Sequence, residues 1–161
     1  MDNNLKGKYL VKNSQDGTYT DIATLFDGAR ILSVNGLNSI GKALNVYTAQ
    51  WIASNTEDFY INAQNGQIVR ENTDITIVLI VSQKYATNSI YATIDTETQY
   101  ENVINYLTST DVWVASRYID KQVHCVCLNS VEPRSMKLKR GDNSYIIAEL
   151  KLHMLDKPTN Y

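Results

Sequence analysis

The sequence predicts a mainly β fold of the α+β kind: an antiparallel β-sandwich or barrel with one flanking amphipathic helix over about residues 97–109. Three observations predict it. Apolar and polar residues alternate with a period of two in several short runs. Asp-Gly and Asn-Gly pairs, the strongest short turn signals, separate those runs. One segment alone carries the helical period clearly. The composition agrees, being rich in Asn, Thr, Val, Ile and Tyr. Eleven Tyr against two Phe mean that most aromatic rings carry a hydroxyl, which suits half-buried strand faces and interfaces.

Lys6–Asn13 has a short strand's length and runs into the turn cluster Ser14-Gln15-Asp16-Gly17. Thr18–Phe26 is mixed, and Asp27-Gly28 supplies a second turn. Ala29–Asn35 reads as a strand crowded by Ile31, Leu32 and Val34, stopped at Asn35-Gly36. Over Lys42–Ala53 the alternation favours a strand, although Leu44, Tyr47, Trp51 and Ile52 also fit a helical stripe. Asp58–Asn62 and Gln67–Glu71 read as a hairpin about Asn65-Gly66. Thr73–Gln83 is the clearest central strand, with Ile75, Ile77, Leu79 and Val81 on one face and Val78 and Ile80 on the other. Both faces being apolar predicts cover on both sides, or a place where a helix crosses the sheet. Lys84–Asp95 is polar, with a brief strand over Ser89–Ile94.

In Glu97–Ser109, Tyr100, Val103, Ile104 and Leu107 fall at i, i+3, i+4 and i+7, a single apolar stripe. Thr96 followed by Gln99 has the spacing of a capping box, and Glu97 and Glu101 suit the positive end of the helix dipole. Val112–Ile119 and Gln122–Val131 then form a hairpin about Asp120-Lys121. A second hairpin runs from Lys137–Lys139 through Arg140-Gly141-Asp142-Asn143 into Ser144–Leu155. There Ile146, Ala148, Leu150, Leu152 and Met154 face the core, and Glu149, Lys151 and His153 face solvent. Pro158 ends the strand. The 161 residues are read as one β-sandwich domain with short polar tails.

Fifteen basic against seventeen acidic residues give a formal charge of −2, without the basic excess of a nucleic-acid binder. No apolar run approaches the roughly 20 residues of a membrane span. Met1–Leu10 lacks a signal-peptide core, so the expectation is an intracellularly made soluble protein, with no membrane and no sequence-specific nucleic acid among its partners. Cys125 and Cys127 sit at i and i+2 on one strand face, spaced poorly for a disulfide and read as small core residues. His124 points to the opposite face, and with only two histidines, His124 and His153, a metal site lacks ligands.

No nucleophile elbow, P-loop, dinucleotide fingerprint or zinc-protease motif occurs, so catalytic, cofactor and metal residues are all expected to be none. Glu57-Asp58 and Asp95/Glu97 are carboxylate pairs that turn and cap roles explain. Arg134, Lys137, Lys139 and Arg140 form the one basic cluster and read as a solvated hairpin tip. Trp51 and Trp113 could stack on a sugar if exposed, but within alternating strands they read as core or interface.

The order of features resembles that of tail structural proteins of tailed bacteriophages: tube-forming proteins and the N-terminal domain of distal tail proteins. The residues that carry it are Ala29–Asn35 as an early strand, Thr73–Val81 as a long one and Thr96–Ser109 as the single helix. The paired strands Asp111–Val131 follow, and Ser144–Leu155 runs into Leu155-Asp156-Lys157-Pro158 and Tyr161. An Asp-Pro…Tyr ending is similar, though here Lys157 separates Asp156 from Pro158. The resemblance implies a virion component without catalysis, self-assembling into a ring, typically hexameric, or a tube, in a distal-tail, tube or adaptor position. Its implied partners are itself and neighbouring virion tail proteins, with the Lys139, Arg140, Gly141, Asp142, Asn143 hairpin as candidate subunit interface. The competing expectation is a monomeric β-sandwich module binding carbohydrate or peptide through Trp51, Trp113 or surface Tyr.

Overall fold

The computed structural model describes residues 9–41, 46–50, 57–61, 63–64, 67–68, 70–86, 95–138 and 144–161. Their contacts divide the chain into two compact units, Met1–Asn38 with Asp74–Tyr161, and Ser39–Thr73. The expected strand over Ser89–Ile94 and the 139–143 turn lie outside the described residues.

The first unit is mainly antiparallel β, as the alternation predicts. Its strands are β1 (Tyr9–Lys12), β2 (Thr20–Asp21), β3 (Ala29–Asn35), β8 (Asp74–Ser82), β9 (Val112–Ser116), β10 (Lys121–Val126), β11 (Pro133–Lys137), β12 (Tyr145–Met154) and β13 (Thr159–Asn160). They form one sheet in the order β2-β1-β9-β10-β12-β8-β3, with β11 added to β12 and β13 to β10. The sheet curls until β1, near one end of the order, comes against β3 at the other. No ladder joins those two strands, so the sheet stays open along this seam. The short helix α1 (Ile22–Leu25) packs at this seam, with its N-cap Asp21 accepting from the Ala23 amide at 3.0 Å and Ile22 buried.

The longest pairing is β8 with β12, from Tyr145↔Ser82 to His153↔Asp74. Ile75, Ile77, Leu79 and Val81 are buried on one strand, and Ile146, Ala148, Leu150, Leu152 and Met154 on the other, as the alternation requires. Of the two alternatives for β8, the helix α2 (Thr96–Thr108) does pack on this strand, while cover on both sides is not found among the described residues. Thr76, Val78 and Ile80 are only half-buried, so β8 is fully covered on one side alone. The helix α2 lays Tyr100, Val103 and Leu107 into the same core. Burying an aliphatic side chain of this size is worth about 1.5–3 kcal/mol, so packing rather than propensity holds the helix.

Several boundaries move for local physical reasons. The α2 N-cap is Asp95, not Thr96. Its carboxylate accepts from the Thr98 amide at 2.7 Å, and these hydrogen bonds hold its carboxyl below the usual range. Thr96 is thereby the first helical residue, and its hydroxyl bonds the Ser144 hydroxyl at 2.7 Å in the interior. Gln99, the expected partner in the capping box, reaches the Asp27 carbonyl at 3.0 Å instead. The β9–β10 turn is Arg117–Asp120, longer than the expected Asp120-Lys121 turn, with Asp120 at φ 49° and Lys121 already paired to Ser116. β10 stops at Val126, and β11 begins at Pro133 rather than Lys137. The mixed segment Thr18–Phe26 resolves into β2 and α1.

In the second unit, β4 (Val46–Gln50) pairs with β5 (Glu57–Ile61), while β6 (Ala63–Gln64) pairs with β7 (Gln67–Ile68). The strand reading of Lys42–Ala53 therefore holds where it is described. In the expected hairpin, however, β5 pairs with β4, and the strand paired with Gln67–Ile68 is Ala63–Gln64.

Gly36 has φ 101°, and an added Cβ would meet the Asp74 carbonyl oxygen at 2.6 Å. Backbone sits there, so a side chain cannot swing clear. Gly36→Ala is expected to destabilise the fold by about 1–3 kcal/mol in chemical denaturation. Tyr100 carries a buried hydroxyl with no hydrogen-bond partner among the described residues. Tyr100→Phe is therefore expected to leave stability unchanged or raise it by up to about 1 kcal/mol.

Candidate functional site

The β8–β12 pair carries one further strand on each side at the same level. Ala29 pairs with Val81, Val81 with Ile146, and Ile146 with Met136. This ribbon β3-β8-β12-β11 ends in two edges that have no strand partner among the described residues. Along its inner row Ala29, Val81 and Ile146 are buried, yet Met136 is 50% exposed. The apolar row thus runs past the rim of the core. Leu138, just beyond β11, is 46% exposed, and Leu128 on the approach to it is 69% exposed. An exposed edge strand bearing apolar side chains is what a soluble chain ordinarily avoids unless it has a partner.

The opposite edge is built differently. β3 carries a bulge between Ile31 and Ser33, which turns out Leu32 to 50% exposure. A cavity of about 330 Å³ opens beside it, lined by Tyr9, Asp21, Ala23, Arg30, Ile31, Leu32 and Tyr118. The Tyr9 and Tyr118 rings meet tilted, 5.2 Å apart with 53° between planes, and Arg30 lies over the Tyr85 ring at 4.4 Å.

The outer face of β1, β9 and β10 holds an aromatic and charged row. Lys12, Trp113 and His124 are cross-strand neighbours, with β9 in the middle. The His124 ring stacks on Trp113 at 4.1 Å with 2° between planes, and the Lys12 ammonium lies 5.4 Å from the Trp113 ring. The same ammonium is 4.9 Å from Tyr19. Since Lys12 and His124 come from strands on opposite sides of β9, both faces of the Trp113 indole are occupied. Tyr19 and Tyr161 meet edge-on at 5.2 Å, and the Tyr19 hydroxyl donates to Gln122 at 3.0 Å. Burial, then the neighbouring Tyr161, pushes the Tyr19 phenol up to about 12. On this face Leu10 and Ala115 are buried outside the main core, in a second small apolar layer.

Both histidines are held by carboxylates. His124 Nε2 lies 2.6 Å from Asp111, and its Nδ1 lies 3.4 Å from Asp156. His153 Nδ1 lies 2.8 Å from Asp74, with the Lys151 ammonium 3.2 Å from the same carboxylate. No serine or cysteine is bonded to either ring among the described residues, and no group of three or more His, Cys, Asp and Glu is placed there to hold a metal. Cys125 lies in the core, where burial and then Cys127 push its thiol up to about 12; Cys127 is half-buried, and both are free. Arg134 pairs with Glu149 across the hairpin at 3.5 Å. Lys139, Arg140, Gly141, Asp142, Asn143 and Trp51 lie outside the described residues. Among those described, no helix is long and apolar enough to cross a membrane.

Starting this strand at Lys137, as the sequence suggests, misses Met136; the alternation Ser135-Met136-Lys137-Leu138 was the signal that could have found it. The seam cavity had no such signal, because its walls come from residues 9, 21–23, 30–32 and 118.

No protein-family model matches the chain, and no curated protein matches it. Among solved structures it is similar to a chain in the structure of the phage p2 baseplate in its activated conformation with Sr, at a TM-score of 0.44 and 13% identity. That likeness covers 94% of this chain and 45% of the other, so the present chain spans under half of its length.

The Asp74 carboxyl is held below its ordinary value, chiefly by its hydrogen bond to His153 and further by Lys151. A carboxyl depressed in the folded state stabilises above its unfolded value, and that stability is lost as pH falls through the folded one. Asp74→Asn is expected to cost about 0.2–1 kcal/mol at pH 7, the range for partly exposed pairs. The variant should also lose less stability than wild type on acidification below pH 4. Thermal melts at both pH values check this.

Proposed function

We propose that this protein is a non-catalytic structural subunit of a bacteriophage tail, located in the virion, that assembles with copies of itself into a ring or tube and contacts neighbouring tail proteins. The observation that carries this reading is the four-stranded ribbon with two unpaired edges. Its strands alternate in direction, so β3 and β11 run oppositely. Because four is even, the β11 edge of one copy would meet the β3 edge of an identically oriented copy in antiparallel sense. Such a head-to-tail contact is heterologous, and it closes into a ring or stacks into a filament according to the rotation between copies. Main-chain pairing at strand edges gives the joint its regularity. The element order and its resemblance to ring- and tube-forming tail proteins point the same way, with a hexamer as the implied ring.

The carbohydrate-platform alternative loses Trp113, whose two faces are taken by Lys12 and His124.

Light scattering behind a sizing column, with negative-stain images of the peak, tests the reading. The expected result is a mass several times 18.2 kDa with rings or tubes in the images. Met136→Glu is expected to shift the protein toward monomer with an unchanged far-UV spectrum, since its side chain is half exposed in the fold and would be buried in the joint. A particle of 18.2 kDa at every concentration would overturn self-assembly.

A further inference from the structure

Residues 156–161 form a strap laid along β10. Leu155 still continues the β12 ladder, its amide donating to the His124 carbonyl at 2.8 Å. The chain then leaves the ladder and rejoins β10 as β13, through the pairs Gln122↔Thr159 and Lys121↔Asn160, with Thr159 and Asn160 exposed. The Tyr161 amide donates to the Asp120 carbonyl at 3.0 Å, and its ring meets Tyr19 and lies 5.0 Å from the Arg117 guanidinium. Between the Leu155 rung and the Thr159 pair, the side-chain tie is Asp156, 3.4 Å from His124 Nδ1. On the other side of the same ring, Nε2 lies 2.6 Å from Asp111, which leads into β9. We propose that His124 is a proton-operated clasp: with both ring nitrogens protonated it ties the 156–161 strap to the start of β9, and as pH rises the strap loosens from β10. This device stands apart from the assembly reading above.

Hydrogen-bond stoichiometry carries the inference. A neutral imidazole has one N–H and one lone pair, whereas the charged ring donates from both nitrogens, and an ionised carboxylate can only accept. Two carboxylates on two ring nitrogens are therefore both satisfied by the charged ring alone. Loss of one proton sets a nitrogen lone pair against a carboxylate oxygen. The Asp111 contact is the shorter, and Asp111 is 45% exposed against 73% for Asp156. The remaining proton stays with Asp111, and the Asp156 tie is the one that fails. The Trp113 indole, 4.1 Å from the ring and within 2° of parallel, holds the plane in which both nitrogens meet their carboxylates.

The charged groups around the ring come from four elements. Asp111 precedes β9, Lys12 of β1 stands on the far face of the indole, and Asp156 and Lys157 belong to the strap. At the end of β12, His153 and Lys151 form a separate cluster with Asp74. On β10 itself the same-face neighbours Gln122 and Val126 are uncharged. Histidine is the side chain whose charge ordinarily changes between pH 5 and 8. Contacts that need its charged form stabilise at the lower end of that range and are lost toward the upper end, while the carboxylates stay ionised throughout. The Tyr19 phenol beyond Gln122, pushed up to about 12, stays neutral across it. Loosening the strap bares main-chain groups of residues 120–122, so the clasp sets whether this end of β10 is a covered strand or an edge.

Amide hydrogen exchange by NMR at pH 5.5 and pH 8, expressed as protection relative to an unstructured chain, decides it. In wild type the Tyr161 amide is expected to lose protection by about two- to fivefold at the higher pH, the range for a partly exposed charge pair. Asp156→Asn removes the charge at an exposed position and leaves the fold intact, and there the step is expected to vanish. His124→Phe keeps a flat ring against Trp113 with no proton to lose, and should hold Tyr161 at the wild-type pH 8 protection at both pH values. The ring gives a second readout: the ¹⁵N shifts of His124 should show both nitrogens protonated at pH 5.5 and the Nε2–H tautomer at pH 8. Equal Tyr161 protection at both pH values in wild type would overturn the clasp. A step of undiminished size in Asp156→Asn would do the same, and so would the Nδ1–H tautomer at pH 8.

Discussion

The register between β8 and β12 is the constraint on which the rest of the structure depends. Nine consecutive pairs, from Tyr145↔Ser82 to His153↔Asp74, fix two opposed rows of aliphatic side chains on one face. A slip of one residue would turn Ile75, Ile77, Leu79 and Val81 to solvent, so the register is strongly specified. Both ends are also locked by polar contacts. At one end the Ser82 hydroxyl donates to the Ser144 carbonyl at 2.9 Å, and Thr96 joins the Ser144 hydroxyl at 2.7 Å. At the other, Asp74 binds His153 and Lys151. The first lock also sets where α2 begins, which brings Tyr100, Val103 and Leu107 over the rows they cover.

From this pair the two edges follow. β12 exceeds β11 and β10 in length, and it gives its N-terminal half to β11 and its last residues to β10. The chain thereby splits the far side of β12 between a hairpin that overhangs the core and a strand that returns around the curl. The overhang exposes Met136. The curl brings Tyr9 and Tyr118 toward β3, and the bulge at Leu32 keeps the seam from closing. The seam cavity and the exposed Met136 are thus two consequences of one pairing. The outer face of β1, β9 and β10 is a separate construction. There the Lys12–Trp113–His124 row shares its face with the buried Leu10 and Ala115, and the Tyr19–Tyr161 pair with the Tyr19–Gln122 hydrogen bond makes a surface at once aromatic and polar.

The sequence by itself determined the elements whose pattern is long and whose environment is simple. The ten-residue alternation of β12, the apolar row of β8 and the helical stripe of α2 each bury one face against a continuous core, so hydrophobic period alone locates them. Tertiary structure decided the ends and the short pieces. Asp95 outcompeted Thr96 as the cap because the Thr96 hydroxyl had a buried partner 48 residues away. The Arg117–Asp120 turn took four residues because Asp120 could adopt a left-handed backbone. The seam cavity and the unlike character of the two edges were decided there as well, since they depend on which strands the curl brings together. Pairing between residues as distant as Ala29 and Val81, or Met136 and Ile146, is a property of the closed sheet, and no local period encodes it.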